Sequence, residues 1–209
     1  MQYSDSFPQA NENPLSSSGV WTGGYTSYST LQVVSNRVRC SSTSDHRITV
    51  SSFTPSSDQF AQFKIVTWNA AAASNIVAHL LLRYTAPATA TGYEVIMLRL
   101  VGGAESIHMF KTTAGSATEL GAGTAVTIAA NDIFMFTVSG LDLKFYQNSI
   151  LRYSASDSTF SSGRIGMGAN VDPGGALGDL EIDDFIGGDL YAARNTTYRP
   201  RPFAPGIAR

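Results

Sequence analysis

The sequence predicts an all-β chain folded as a two-sheet antiparallel β-sandwich, and three observations predict it. Short runs alternate apolar and polar residues with period two, the mark of strands with one buried face. Clusters of Gly, Ser, Asn and Pro separate these runs at regular intervals, as in sandwiches and barrels. No stretch reads as an amphipathic helix. With 209 residues the chain suits one large sandwich, and a chain of that size buries roughly 70% of its unfolded surface without needing covalent staples.

The strands follow in order. Leu31, Val33, Val38 and Cys40 flank a tight turn at Ser35-Asn36, giving a hairpin over 31–40. Arg47–Phe53 follows, with Ile48 and Val50 on one face. In Gln59–Trp68, Ala61, Phe63 and Ile65 face the core while Gln62 and Lys64 face water. The most apolar strands are 76–84 and 92–101, separated by a small-residue loop, Ala86–Thr91. Ile76, Ala78, Leu80 and Leu82 share one face, but Val77 and Leu81 make the other apolar too, so both strands are central and partly covered on both sides. A strand over 104–111 runs into a Gly-rich linker, 113–123. Asp132–Val138 and Leu141–Tyr146 pair through Ser139-Gly140, with Leu141, Leu143 and Phe145 inward and Asp142, Lys144 and Tyr146 outward. A turn at Gln147–Ser149, a strand Ile150–Ser154, a loop at 155–162, a strand Gly163–Ala169, a Gly-rich loop at 170–178 and a last strand over 179–187 complete twelve or thirteen strands with no solenoid period.

Residues 1–190 form this sandwich, and 191–209 change character. Arg199, Arg201 and Arg209 alternate with Pro200, Pro202, Phe203 and Pro205. Proline withholds the backbone donors that a central strand needs, so the segment is expected to be an extended arm, either disordered or docked on a partner.

Composition narrows the function. Only 14% of residues are charged, and the net charge of −2 gives no basic field to attract nucleic acid. The single cysteine, Cys40, excludes an internal disulfide and any Cys-based metal cluster, and its place in a strand makes it a buried apolar residue. No apolar run reaches the ~18 residues that span a membrane, and the opening residues lack the basic start and apolar core of a secretory signal.

Two stretches carry a family resemblance. Asp5-Ser6-Phe7 with Leu15 and Trp21, and their companion Asp183-Asp184-Phe185, resemble the paired first and last strands of the concanavalin A-like (laminin-G-like) jelly roll. Leu143–Ser149 is similar to that superfamily's strand–Asn-Gly–strand hairpin, with Ser149 in place of Gly. Asp157–Gly166 is similar to its loop and strand written Asp-x-x-(apolar)-x-x-Gly-x-(apolar)-Gly. The resemblance spans residues 4–188. It implies that the termini meet, and that a calcium ion could sit nearby on Asp5, Asp183 or Asp184. The fold serves lectins, hydrolases and adhesion modules alike, so function must come from a site.

No catalytic motif stands out. Laminarinase-like hydrolases of this fold are expected to show Glu-(apolar)-Asp-x-x-Glu, which sets two carboxyls on one strand face. Here Glu181-Ile182-Asp183-Asp184-Phe185-Ile186 puts Ile186 where the second Glu belongs. His46, His79 and His108 lack metal-ligand spacing, and His79 reads as a packed, satisfied residue. For sugar binding, Trp68, Tyr84, Tyr93 and Tyr146 are expected on outward faces, with Trp21, Tyr25 and Tyr28 in N-terminal loops, where a ring can cover a pyranose. These readings favour a non-enzymatic structural protein of a viral particle, most naturally a bacteriophage head-decoration or tail component. It would be a homo-oligomer in the virion, bound to other virion proteins through Arg199, Arg201, Phe203 and Arg209. The alternative is an extracellular, lectin-like carbohydrate-binding module or adhesin that takes cell-surface glycans.

Overall fold

The computed structural model describes residues 1–16, 19–23, 31–52, 54–85 and 90–190. Its strands fall into two antiparallel sheets. The first contains β1 (Gln2–Asp5), β3 (Leu31–Val34), β4 (Arg37–Cys40), β6 (Gln59–Trp68), β12 (Ile133–Ser139), β13 (Asp142–Gln147), β14 (Ile150–Ser156) and β16 (Leu180–Asp189). They run in the order β14-β13-β12-β6-β16-β4-β3, with β1 also on β16. The second contains β2 (Trp21–Gly23), β5 (Asp45–Val50), β7 (Ile76–Thr85), β8 (Thr91–Arg99), β9 (Glu105–Thr113), β10 (Ser116–Glu119), β11 (Thr124–Ala125) and β15 (Arg164–Val171). Their order is β10-β9-β8-β7-β15-β5-β2, with β11 also on β9.

Alternation builds the core between the sheets. Phe63, Ile65, Phe134, Phe136, Leu143, Phe145, Ile182 and Phe185 of the first sheet are fully buried. They meet Ile76, Ala78, Leu80, Val95, Met97, Ile107, Met109, Ile165 and Met167 of the second. Phe134 packs edge-on to Phe63 and stacks on Phe145, with centroids 6.4 and 5.6 Å apart. Cys40 is buried among them, as its strand position predicts.

Two buried arginines clamp loops onto the sandwich. Arg83 donates to the carbonyls of Ser57, Gly140 and Phe160. Arg99 donates to those of Ala70, Ala72 and Ser74. Each guanidinium thus spends its fork of donors on backbone acceptors that would otherwise be desolvated without partners.

The termini of the sandwich meet, as the Asp-Phe pair implies: Asp5 lies opposite Phe185 in the β1–β16 register. The N-terminal amino group also binds the Asp189 carboxylate. The first strand stops at Asp5, however, and does not run on to Phe7, which is buried with a left-handed φ of 48°.

Four further differences have physical causes. Leu141, expected inward, is exposed, because it shares the turn with Gly140 and β13 begins only at Asp142. The Gly-rich linker at 113–123 contains β10, which pairs with β9 from Ser116↔Thr113 to Glu119↔Phe110. All four β10 residues are exposed, so no apolar alternation marks the strand. β2 and β11 are two or three residues long, too short to show a period, and they help raise the number of strands among the described residues to sixteen. In β6 the alternation breaks after Ile65: Val66 and Thr67 are both half-buried and Trp68 turns into the core, beside a register shift on β16 between Glu181 and Ile182.

Candidate functional site

The outer face of the second sheet carries an unusual polar arrangement. On β8 the inward set is Tyr93, Val95 and Met97, so Glu94 points outward. On β7 the inward set Ile76, Ala78, Leu80 and Leu82 leaves His79 outward. On β5, inward Ile48 and Val50 leave Asp45 and Arg47 outward. Register then assembles them. Glu94 lies opposite Leu81, and Gly168 of β15 lies between His79 on one side and Arg47 on the other.

The four side chains form a ring in which the two carboxylates alternate with Arg47 and His79. Arg47 Nε donates to Glu94 Oε1 at 2.7 Å, and its Nη1 donates to Asp45 Oδ2 at 2.6 Å. His79 Nδ1 faces the same Glu94 oxygen in a short contact. His79 Nε2 faces Asp45 Oδ1 at 3.4 Å. A glycine at 168 lets the ring form across β15: a Cβ there would lie 2.5 Å from the His46 carbonyl and 3.1 Å from both Arg47 Cγ and His79 Cβ.

The ring is desolvated unevenly. The side chains of His79 and Glu94 are 3% and 4% exposed, whereas that of Asp45 is 24% exposed. Burial pushes the Glu94 carboxyl up, but the Arg47 charge, then that of His79, and hydrogen bonds from both outweigh it and bring it down to about 2. Burial likewise disfavours the Arg47 cation, and the charges of Glu94 and Asp45 overcome this and hold it above its ordinary value.

Several buried polar atoms on this face make no hydrogen bond. Among the described residues, buried side-chain atoms without a hydrogen bond include His79 Nε2, Asp45 Oδ1, Asn170 Oδ1 and Thr112 Oγ1. Asn170 is the register neighbour of Asp45, and Thr112 follows from the outward parity of β9. Buried polar groups are paired in the great majority of cases, so such a concentration on one face calls for a cause. Phe110, half-buried opposite Glu94, stacks on His108 at 6.2 Å and supplies an aromatic surface on the same side.

The outer face of the first sheet differs. A cleft of about 250 Å³ is lined by Met135, Thr137 and Ser139 of β12, Asp142, Lys144 and Tyr146 of β13, and Leu190.

The expected sugar-binding aromatics are mostly not at the surface. Trp68 lies in the core and donates Nε1–H to Glu105 Oε1 at 2.6 Å, because the break in β6 turns it inward. Tyr93 is fully buried, following the inward parity of Val95 and Met97, and its hydroxyl donates to Asp157 Oδ1 at 2.8 Å. Tyr84 is outward of the main core but buried with Leu81 and Ala90 in a small apolar cluster. Tyr146 alone of the four is half-exposed, on the cleft of the first sheet.

The aspartates implied as calcium ligands are engaged separately. Asp5 accepts from Tyr3 OH, Trp21 Nε1 and the Phe7 amide at 2.8–3.0 Å. Asp183 accepts from the Asp184 amide, and Asp184 pairs with Lys64 at 3.5 Å. Among the described residues no group of three or more His, Cys, Asp or Glu is placed to hold a metal. Glu181 is taken up by Arg37 and Thr67. Tyr25, Tyr28, Arg199, Arg201, Phe203 and Arg209 lie outside the described residues. Sequence reasoning missed Asp45, Arg47 and Glu94. Strand parity could have marked Glu94 as outward, but nothing in the sequence brings positions 45, 47, 79 and 94 together.

No protein-family model and no curated protein matches the chain. Solved structures do. The carbohydrate-binding module CBM66 from Bacillus subtilis superposes with a TM-score of 0.58 at 21% identity, over 79% of this chain and 91% of its own. The carbohydrate recognition domain of Emp47p gives 0.60 at 12% identity, over 90% and 95%. The exoplasmic/lumenal domain of VIP36, in a Ca2+/Man3GlcNAc-bound form, gives 0.60 at 11% identity, over 90% and 95%. The fold is the concanavalin A-like jelly roll. LamAcat from Zobellia galactanivorans shares this jelly roll at a TM-score of 0.51 and 12% identity. At such identities the likeness establishes architecture, and function rests on the residues of the site.

Proposed function

We propose that this domain is a non-catalytic carbohydrate-binding module. The observation that carries the reading is the superposition on carbohydrate-binding and carbohydrate recognition domains across nine-tenths or more of their own length. The role in particle assembly rested on composition and on residues 191–209, and the superpositions favour the alternative. The test is a glycan array followed by calorimetry, with release of reducing sugar measured on the bound polysaccharides. Binding without turnover is the expected result. A blank array, or turnover of a bound glycan, overturns the proposal.

A further inference from the structure

We infer that the cleft on the outer face of the first sheet takes a short neutral oligosaccharide, one ring of which lies on Tyr146 while its hydroxyls meet Lys144 and Asp142. The inference rests on the carbohydrate-binding reading and gives it a place and a ligand class.

Strand parity builds the cleft floor. Leu143 and Phe145 of β13 point into the core, so Asp142, Lys144 and Tyr146 form one outward column. Residues directly opposite in a ladder share a face. Register therefore sets Tyr146 between Met135 of β12 and Leu151 of β14. Leu151 is 50% exposed, and the β13–β14 ladder bulges at this point. The result is an apolar strip with a half-exposed aromatic ring in its middle. A pyranose has one apolar face, and such a ring covers it.

The rest of the column is polar. Among the described residues, neither the Lys144 ammonium nor the Asp142 carboxylate makes a hydrogen bond or an ion pair, although the two are neighbours on one face. One is a donor only and the other an acceptor only. Sugar hydroxyls are both, so one accepts from Lys144 and another donates to Asp142. From Asp142 to Tyr146 the strand runs about 13 Å at the usual rise, longer than one pyranose and suited to two in a row.

Charge selects the sugar. At the Asp142 end a second carboxylate, that of Asp58, accepts from Ser139 Oγ and from the Gly140 amide at 3.0 and 2.9 Å. Two carboxylates thus stand beside the single Lys144 cation. A uronic or sialic acid would bring a third, whereas a neutral hydroxyl brings the hydrogen that Asp142 can accept.

The experiment is an array of neutral mono- and disaccharides with their matched uronic acids, followed by calorimetry on the best neutral hit. Wild-type protein is compared with Tyr146→Ala, Lys144→Met and, on the outer face of the second sheet, Phe110→Ala. The expected result is a loss of at least about tenfold in affinity for Tyr146→Ala and for Lys144→Met, with Phe110→Ala unchanged. Loss in Phe110→Ala with Tyr146→Ala unaffected, or a preference for the uronic acids, overturns the inference and leaves the carbohydrate-binding reading standing. A blank array overturns both. If Tyr146→Ala does not fold by circular dichroism, the Tyr146 ring protons of the wild type serve instead. Their NMR shifts move on titration with the hit if the inference holds, and staying fixed at saturation overturns it.

Discussion

The outer faces of the two sheets are built from the same kind of residue and behave differently. On the first sheet, Lys64 meets Asp184 at 3.5 Å and Arg37 meets Glu181, and in each pair one side chain, Asp184 or Arg37, is about half exposed. On the second, Arg47, His79, Glu94 and Asp45 form a ring from which water is largely removed. Exposed pairs are screened and contribute about 0–1 kcal/mol. Buried ones depend on every partner being present, because removing one strands a charge in a poor solvent. What matters is therefore burial and closure of the network, not the number of charges.

The largest expected effect comes from breaking the ring at its most buried member. Glu94→Ala should lower stability by about 3–5 kcal/mol, read from urea unfolding, because Arg47 and His79 lose their shared acceptor. A loss below about 1 kcal/mol, the range of exposed pairs, would erase the distinction between the faces.

Acid sharpens the same contrast. The Glu94 carboxyl is depressed in the folded state to about 2 from its ordinary 4.5, so its contribution is complete above about 4.5 and drains away as pH falls towards 2. Wild-type stability should fall across that window, and Glu94→Gln should show a shallower fall. Some slope should survive from Asp157, also lowered: burial opposes this, but hydrogen bonds from Lys111 and Thr159 prevail. Identical pH profiles for wild type and Glu94→Gln would contradict the desolvated ring.

Gly168→Ala tests closure across β15. The new methyl meets the His46 carbonyl and crowds Arg47 and His79, and a cost of about 1–3 kcal/mol in thermal unfolding is expected. Smallest of all, Lys64→Ala should change stability by less than about 1 kcal/mol. A larger loss would mean that the first sheet's pairs are not the solvated kind.

Much of the architecture was legible because period two survives wherever a strand is long and one face is buried. Gln59–Trp68 was delimited from Ala61, Phe63 and Ile65, and the hairpin at 31–40 from its four apolar residues and the Ser35-Asn36 turn, whose φ angles of 54° and 62° are both left-handed. The β1–β16 pairing came from the family resemblance that Asp5 and Phe185 help to carry. Legibility failed where the local signal is absent, as in the wholly exposed β10, or where tertiary register overrides it, as at Trp68. The ring lay beyond reach for a third reason. Its members come from β5, β7 and β8, and only the β5–β15–β7–β8 order, with a glycine in the middle, makes neighbours of them. His79, read from the sequence as satisfied, is packed as expected, but its Nε2 makes no hydrogen bond and meets Asp45 Oδ1 only at 3.4 Å.

The antiparallel seam between Gln2–Asp5 and Leu180–Asp189 has a practical corollary. Entrance and exit of the sandwich lie side by side, so a host polypeptide could accept residues 1–190 as an insert in one of its surface turns with scarcely any widening of that turn. The same adjacency would allow the backbone to be rejoined there and cut afresh at Asn148-Ser149, a two-residue bend at the tip of a hairpin, leaving every ladder of both sheets intact.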